Sequence, residues 1–345
     1  MALATRPLGT SGLEITTVGF GSWAVGGGGW SFGWGPQDDA ESLATMRHAI
    51  ELGINWIDTA AVYGLGHSEE VVGRLLRELP ASERPLIFSK CGLVWDDRDR
   101  MAAPRRVLRP DSIRRECEAS LRRLGVERID LYQFHWPDET GTRVEDAWAE
   151  MAMLVDEGKV RAAGVSNFGV GLLDRCEAIQ HVDSLQPPFS LINRSAASGE
   201  IPWCGAHRTG VICYSPMHSG LLTDSFTADR VAALAEDDWR RRAADFQPPN
   251  LGRNLSLRDA LRSIAMRHDA SVSATAIAWT LAWPGVSGAI VGARTPKQVD
   301  GWIEAASMAL TDLDLDEIAS AIQRTRAGAG AARPGRPAVS RKRTG

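Results

Sequence analysis

Short apolar runs alternate with amphipathic stretches along this chain, a pattern that predicts strands followed by helices. Thr16-Thr17-Val18-Gly19-Phe20-Gly21 reads as the first strand. A helix over residues 39–52 follows, with Ala40, Leu43, Ala44, Met46, Ala49 and Ile50 on its apolar face. Ile54-Asn55-Trp56-Ile57 is the second strand, and Ser68, Glu69 and Glu70 suit the start of a helix over 68–79. Leu86-Ile87-Phe88-Ser89 precedes a helix over 111–124, entered through Pro110 and closed by Gly125. The fourth strand is 129–134, followed by a helix over 144–157 that ends at Gly158. The fifth is 160–165, followed by a helix over about 170–180. Ser184-Leu185-Gln186 leads to a weakly patterned helix near 200–209. Val211-Ile212-Cys213-Tyr214 comes seventh and Gly288-Ala289-Ile290-Val291 eighth.

A continuous α/β series of this kind, with no break in composition, predicts a single (β/α)8 TIM barrel over residues 1–326. Residues 6–15, turning at Gly9-Thr10-Ser11-Gly12, read as a hairpin plugging the amino-terminal end. A helix over 315–325 is extra to the repeat. Residues 327–345, rich in Gly, Ala, Pro and Arg, are expected to form a disordered tail. A doubly wound sheet would carry a Gly-rich turn directly after its first strand. Gly26-Gly27-Gly28-Gly29 lacks the GxGxxG spacing and runs into Trp30-Ser31-Phe32-Gly33-Trp34, so it reads as a flexible loop at a site mouth. Residues 215–252 form a long excursion of the kind often functional or mobile.

Composition narrows the function classes. The chain is 44% apolar and 24% charged, as in ordinary globular proteins. Its net charge of −4 gives no reason to expect nucleic acid or an anionic membrane as partner. No uninterrupted apolar stretch is long enough for a transmembrane helix, and no secretory signal is seen. Arg341-Lys342-Arg343 reads as part of a solvated tail. Cys91, Cys117, Cys176, Cys204 and Cys213 are scattered and read as reduced thiols of a cytoplasmic protein, with no CxxC pair and no metal site expected. Strand alternation is expected to turn Cys91 away from its neighbour Lys90.

The chemistry concentrates at strand ends. Asp58, Lys90 and His135 sit at or just past the second, third and fourth strands, with Tyr63 in the loop after the second. Side chains at the carboxyl ends of successive parallel strands converge on one face. A phenol titrates near pH ~10, too high for efficient proton transfer at neutrality. A neighbouring ammonium is expected to lower that value, and a carboxylate to hold the ammonium in place. The group protonated would be an oxygen, which points to carbonyl reduction. Later strand ends carry Ser166 and Asn167, Gln186, and Tyr214. Their donors and acceptors suit a carboxamide, and their ring suits stacking on a heteroaromatic.

In their settings Ile-Asp-Thr-Ala-Ala-Val-Tyr-Gly (57–64), Phe-Ser-Lys-Cys-Gly (88–92) and Leu-Tyr-Gln-Phe-His-Trp-Pro-Asp (131–138), these residues resemble the aldo-keto reductases, from about Gly19 to Thr325. The resemblance implies that Tyr63 is the general acid, Lys90 lowers its pKa, Asp58 anchors Lys90, and His135 orients the carbonyl. It implies that Ser166, Asn167 and Gln186 bind the nicotinamide carboxamide and that Tyr214 stacks on the ring. Ser215, Met217, Gly220 and Leu221 lie in a loop implied to receive the pyrophosphate through backbone N–H groups. Gly292, Arg294 and Gln298 are implied to hold the 2′-phosphate, giving NADP (NADPH) in preference to NAD.

Gly301 and Trp302 stand where the family often has a Glu-Asn pair, so Trp302 either stacks on adenine or packs. His218 reads as exposed or packing, not catalytic. Trp23, Trp95 and Trp136, with Trp30 and Trp34, either line an apolar pocket for a small-molecule carbonyl substrate or cover the barrel rim.

The leading expectation is an NAD(P)H-dependent oxidoreductase reducing aldehydes or ketones. The same residues serve a sugar or polyol dehydrogenase in reverse. Other classes are an aldolase forming a Schiff base through Lys90 and a cofactor-binding regulatory subunit of a membrane channel.

Overall fold

The computed structural model describes residues 3–234 and 238–335. Its centre is a closed barrel of eight parallel strands: Val18–Gly21, Trp56–Asp58, Leu86–Cys91, Ile129–Phe134, Val160–Ser166, Ser184–Gln186, Gly210–Tyr214 and Val286–Gly292. Each strand pairs with its neighbours in sequence, and the eighth closes on the first through Ala289 opposite Val18 and Gly292 opposite Gly21. Helices Asp39–Glu51, His67–Glu78, Pro110–Leu124, Val144–Asp156, Val170–Glu177 and Glu200–His207 fall where the periodicity places them, within a few residues at the ends. Pro110 occupies the first turn of its helix, and Gly125 ends that helix in the left-handed conformation expected of a C-terminal glycine.

Alternation along the strands sorts the side chains. Trp56, Phe88, Leu131, Ala162, Ile212 and Ile290 face inward and form one apolar layer. Ile57, Ile87, Tyr132, Ala163, Leu185, Cys213 and Ala289 face outward, against the helices. The hairpin Thr5–Pro7 and Glu14–Thr16 inserts Leu8, Leu13 and Ile15 beneath the inner layer, so the barrel floor is sealed by hydrocarbon. Gly19 lets the Trp56 indole cross the floor, because a Cβ there would collide with the ring. The indole N–H then donates to Thr16 O at 2.8 Å. A sealed, dry floor leaves only the opposite face for chemistry.

A helix at Val272–Leu281 follows the excursion, and the sequence pattern does not announce it. All ten of its residues are buried, so it has no polar stripe to generate a period. Residues 327–330, expected to open a disordered tail, are instead packed and paired. Ala327 is buried, Ala329–Gly330 pairs with Asn193–Arg194, and the Arg194 guanidinium donates to Ala327 O and Gly330 O. Backbone carbonyls there satisfy a buried cation, which a compositional reading does not register. Residues 336–345, including Arg341-Lys342-Arg343, lie outside the described residues. No helix among the described residues is long and apolar enough to cross a membrane.

Candidate active site

One layer above the apolar floor, the same inward parity delivers Asp58, Lys90, Ser166, Gln186 and Tyr214 from strands two, three, five, six and seven. Lys90 lies two residues beyond inward-facing Phe88, and Asp58 two beyond Trp56. Their outward neighbour Cys91 is buried, its thiol pushed well up chiefly by burial, so it is an inert packing residue.

The Lys90 ammonium donates to Asp58 Oδ1 at 2.5 Å, Thr59 O at 2.9 Å and Tyr63 Oη at 3.4 Å. Three N–H groups thus meet three acceptors. The other Asp58 oxygen accepts from the Gln186 amide at 2.9 Å. Both charged groups are almost fully buried. Burial pushes Lys90 down and Asp58 up, each opposed by its partner's charge. The short contact and the filled coordination of both groups describe an ion pair.

Tyr63 and His135 complete the centre. Their rings meet edge to face at 5.7 Å, and the His135 backbone N–H donates to Cys91 O, fixing the residue at the end of strand four. Burial, then the Lys90 charge, pushes His135 well down, so its imidazole is neutral at neutral pH. The phenol departs from expectation. Burial pushes Tyr63 well above the ordinary range, and the Asp58 charge adds to it. Lys90 is within contact, yet desolvation by the surrounding wall and the adjacent carboxylate outweighs its pull.

The later strand ends form a connected polar wall. Tyr214 Oη donates to Asn167 Oδ1 at 2.8 Å, and Asn167 Nδ2 donates to His135 O and to Ser166 Oγ, both at 3.0 Å. Ser166 Oγ donates to Gln186 O at 2.9 Å. Gln186 therefore serves Asp58 with its amide N–H rather than pointing freely outward. Asn167 adopts φ 62°, a left-handed conformation its side chain tolerates better than most.

In the next loop Ser215, His218 and Ser219 are also left-handed, at φ 56°, 47° and 54°. Within this loop the His218, Gly220 and Leu221 N–H groups donate to Ser215 O, Met217 O and His218 O at 2.9, 3.2 and 3.2 Å, so these donors close turns of the loop itself. His218 is half-buried. It bridges Ser190 Oγ at 3.1 Å and Asp245 Oδ2 at 2.8 Å, pinning the loop to the excursion.

At the eighth strand, Gln298 Oε1 accepts from the Arg294 N–H at 2.7 Å, and the helix behind, Pro296–Asp300, has only five residues. So short a helix offers little dipole. The Arg294 guanidinium reaches back to the loop after strand one, donating to Gln37 Oε1 at 2.7 Å, Trp34 O at 3.3 Å and Pro36 O. Trp302 is buried and packs in the outer layer.

The tryptophans divide. Trp23 stacks on Tyr63 with centroids 6.0 Å apart, and Trp95 packs in the same cluster. Trp30 is buried packing. Trp34 meets Trp23 and, from the excursion, Trp239 and the Arg240 guanidinium, which lies 4.8 Å from the Trp34 ring. Trp136 carries the Arg106 guanidinium 4.3 Å from its ring. Nothing in the sequence marks Arg106, Trp239, Arg240 and Gln37, because none of them falls in a motif or a long periodic run.

A carboxylate behind the site titrates in an accessible range. Glu116 accepts from the Gly92 N–H at 2.9 Å and the Ser112 hydroxyl at 3.1 Å, and burial pushes it up to about 7. The unfolded chain ionises this group near pH ~4.3, but the native state holds the proton until about 7. Stability is therefore expected to fall as pH rises between those values and to level off above, by on the order of 3–4 kcal/mol. Glu116→Gln should flatten that slope in urea unfolding measured across the interval. An unchanged slope would refute the assignment.

Residues 17–323 match the aldo/keto reductase family. The chain is 33% identical over 316 residues to aldo-keto reductase YhdN of Bacillus subtilis (strain 168), covering 91% of this chain and 92% of the relative. It is 32% identical over 331 residues to the NADH-specific methylglyoxal reductase of Escherichia coli (strain K12), covering 92% and 99%. The glycerol dehydrogenase AKR11B4 from Gluconobacter oxydans superposes with a TM-score of 0.85 at 36% identity, covering 98% of this chain and 99% of that one. With the match spanning the whole barrel and its site face, this chain belongs to the aldo/keto reductase family.

Proposed function

We propose that this chain interconverts carbonyl compounds and alcohols with a nicotinamide cofactor, and that Asp58, Tyr63, Lys90 and His135 carry the proton chemistry. The observation that carries this reading is the Lys90 ammonium held between Asp58 and the Tyr63 hydroxyl above a sealed floor. When bound, the cofactor supplies or accepts hydride. A neutral His135 imidazole orients the substrate oxygen, and Tyr63 gives that oxygen its proton. Its raised pKa keeps the phenol protonated and ready to donate. An alkoxide is a stronger base than phenolate, so the transfer runs downhill, and the nearby ammonium stabilises the phenolate left behind. In the alcohol-to-carbonyl direction the same groups return the proton.

Lys90 serves no Schiff base in this reading, since all three N–H groups are committed to acceptors and no lone pair is presented. Ser166, Asn167 and Tyr214 form a donor and acceptor wall suited to the carboxamide, and the following loop, 215–221, is the segment proposed to lie along the pyrophosphate. Cytoplasmic residence accords with five buried, free cysteines.

For the cofactor's second phosphate we propose NADP(H) held by Arg294, with NAD(H) also accepted. Neutral carbonyl partners leave the guanidinium charge uncancelled, but they occupy three of its N–H groups. A relative that is NADH-specific supports dual use. Fluorescence titration with NADPH and NADH tests this directly. Arg294→Ala is expected to weaken NADPH binding roughly tenfold, the value of a charge-assisted hydrogen bond, while NADH binding changes less than about twofold. Equal weakening of both would reduce Arg294 to a strap for the loop after strand one. Absence of any nicotinamide binding by the unaltered chain would overturn the proposal as a whole.

A further inference from the structure

The loop after strand three folds into a two-stranded ribbon, Leu93–Val94 against Arg105–Arg106. Leu93 lies directly opposite Arg106, and directly opposed residues of an antiparallel pair project to the same face. That face is the site mouth, because Leu93 packs in the cluster that includes Tyr63, Trp23 and Trp95. Arg106 then lies over the ring of Trp136, the residue after His135. The pairing with Leu93 and the contact with Trp136 place the guanidinium at the rim of the site face, on the loops after strands three and four.

The cation is fixed and uncommitted. Its backbone N–H donates to Glu139 Oε1 at 3.1 Å, and its carbonyl accepts from the Glu139 N–H at 3.1 Å. Two residues on, the Leu108 N–H donates to Asp138 Oδ2 at 2.7 Å. Asp138 also accepts from the Thr140 and Thr142 N–H groups at 2.7 and 2.8 Å, so both neighbouring carboxylates are occupied by backbone. Among the described residues the Arg106 guanidinium has no hydrogen bond and no carboxylate partner; it rests on the Trp136 ring. It is half-buried, as is Trp136.

We infer that Arg106, presented on Trp136, is a substrate-recognition residue that binds a carboxylate on the carbonyl compound, distal to the group being reduced. This rests on the oxidoreductase reading above. A planar guanidinium stacked on an aromatic ring keeps its in-plane N–H fork free, and that fork matches a carboxylate. The ring contact and the two backbone bonds to Glu139 restrain the side chain, so less is lost in ordering it on binding. The nearby carboxylates of Asp138 and Glu139 disfavour a dianion, which selects a carboxylate over a phosphate. Rim tryptophans supply the apolar wall between the anion and the carbonyl.

The test compares para-carboxybenzaldehyde with benzaldehyde. The unaltered enzyme should show the higher kcat/KM with the acid, an advantage that shrinks with added salt. Arg106→Ala should lose roughly tenfold to hundredfold on the acid and leave benzaldehyde within about twofold, with Arg106→Lys between. Equal losses on both aldehydes, or no advantage for the acid in the unaltered enzyme, would overturn the inference while leaving the oxidoreductase reading intact. Calorimetric titration with para-(hydroxymethyl)benzoate and with benzyl alcohol separates the two failures. Arg106-dependent preference for the anion without turnover of either aldehyde would support the subsite and sink the reductase reading.

Discussion

Replacing Tyr63 with phenylalanine is expected to lower kcat roughly thousandfold, within the range that a positioned general acid contributes, while leaving NADPH affinity within about twofold. The phenol hydroxyl is the group placed to hand a proton to a substrate oxygen, and the ring itself is kept. Its stacking on Trp23 and its edge contact with His135 survive in phenylalanine, so the fold and the mouth should be unaltered. The hydroxyl accepts from Lys90 at 3.4 Å, a long contact whose loss leaves the ammonium with Asp58 and Thr59 O. Steady-state rates beside a fluorescence titration of the cofactor separate chemistry from binding. Retention of turnover in the variant would remove Tyr63 from the mechanism.

The second large effect is on Lys90. Lys90→Met strands the Asp58 carboxylate in the barrel with only the Gln186 amide as partner. Removing one member of a buried pair typically costs about 3–5 kcal/mol, and activity should fall with it. Burial already raises Asp58, and loss of the ammonium removes the main opposing influence, so in the variant this carboxyl holds its proton to higher pH. The sign follows from that. The cost is absent below the unfolded carboxylate's pKa, grows as pH rises through it, and is complete above the raised native value.

Urea unfolding at acid and neutral pH should therefore show the variant close to the unaltered protein in acid and well below it at neutrality. The double variant Asp58→Asn with Lys90→Met should regain most of the stability, since no uncompensated charge remains, yet stay inactive. Equal instability of the single variant at both pH values would show that lost packing, not the stranded charge, is responsible.

Strand parity makes the candidate centre legible in the sequence. A period of two places Lys90 on the side of Phe88 and Asp58 on the side of Trp56, so once the strands are found, the inward set follows. The direction of the Tyr63 shift is not legible there. Coulomb attraction to Lys90 can be argued from neighbouring motifs, but desolvation depends on how completely the mouth is walled, and here it dominates. Gln186 shows the same limit: its residue type suits a carboxamide, and only the closed barrel brings it against Asp58, 128 residues away in sequence.

Arg294 marks the boundary most sharply. The chain places a cation at the end of strand eight, but three of its N–H groups are taken by a loop more than 250 residues earlier. Helix Val272–Leu281 leaves no periodic signal for the opposite reason, being buried on every side and therefore without contrast.

Local pattern by itself determined the eight strands, most of the helices between them, the plugged floor and the four side chains gathered at strand ends, because these depend on periodicities of two and 3.6 and on where strands end. Tertiary structure alone decided which charges are satisfied, which pKa values rise or fall, and which arginine is left free over Trp136. Those properties depend on burial and on contacts between distant loops, and no short-range pattern encodes either.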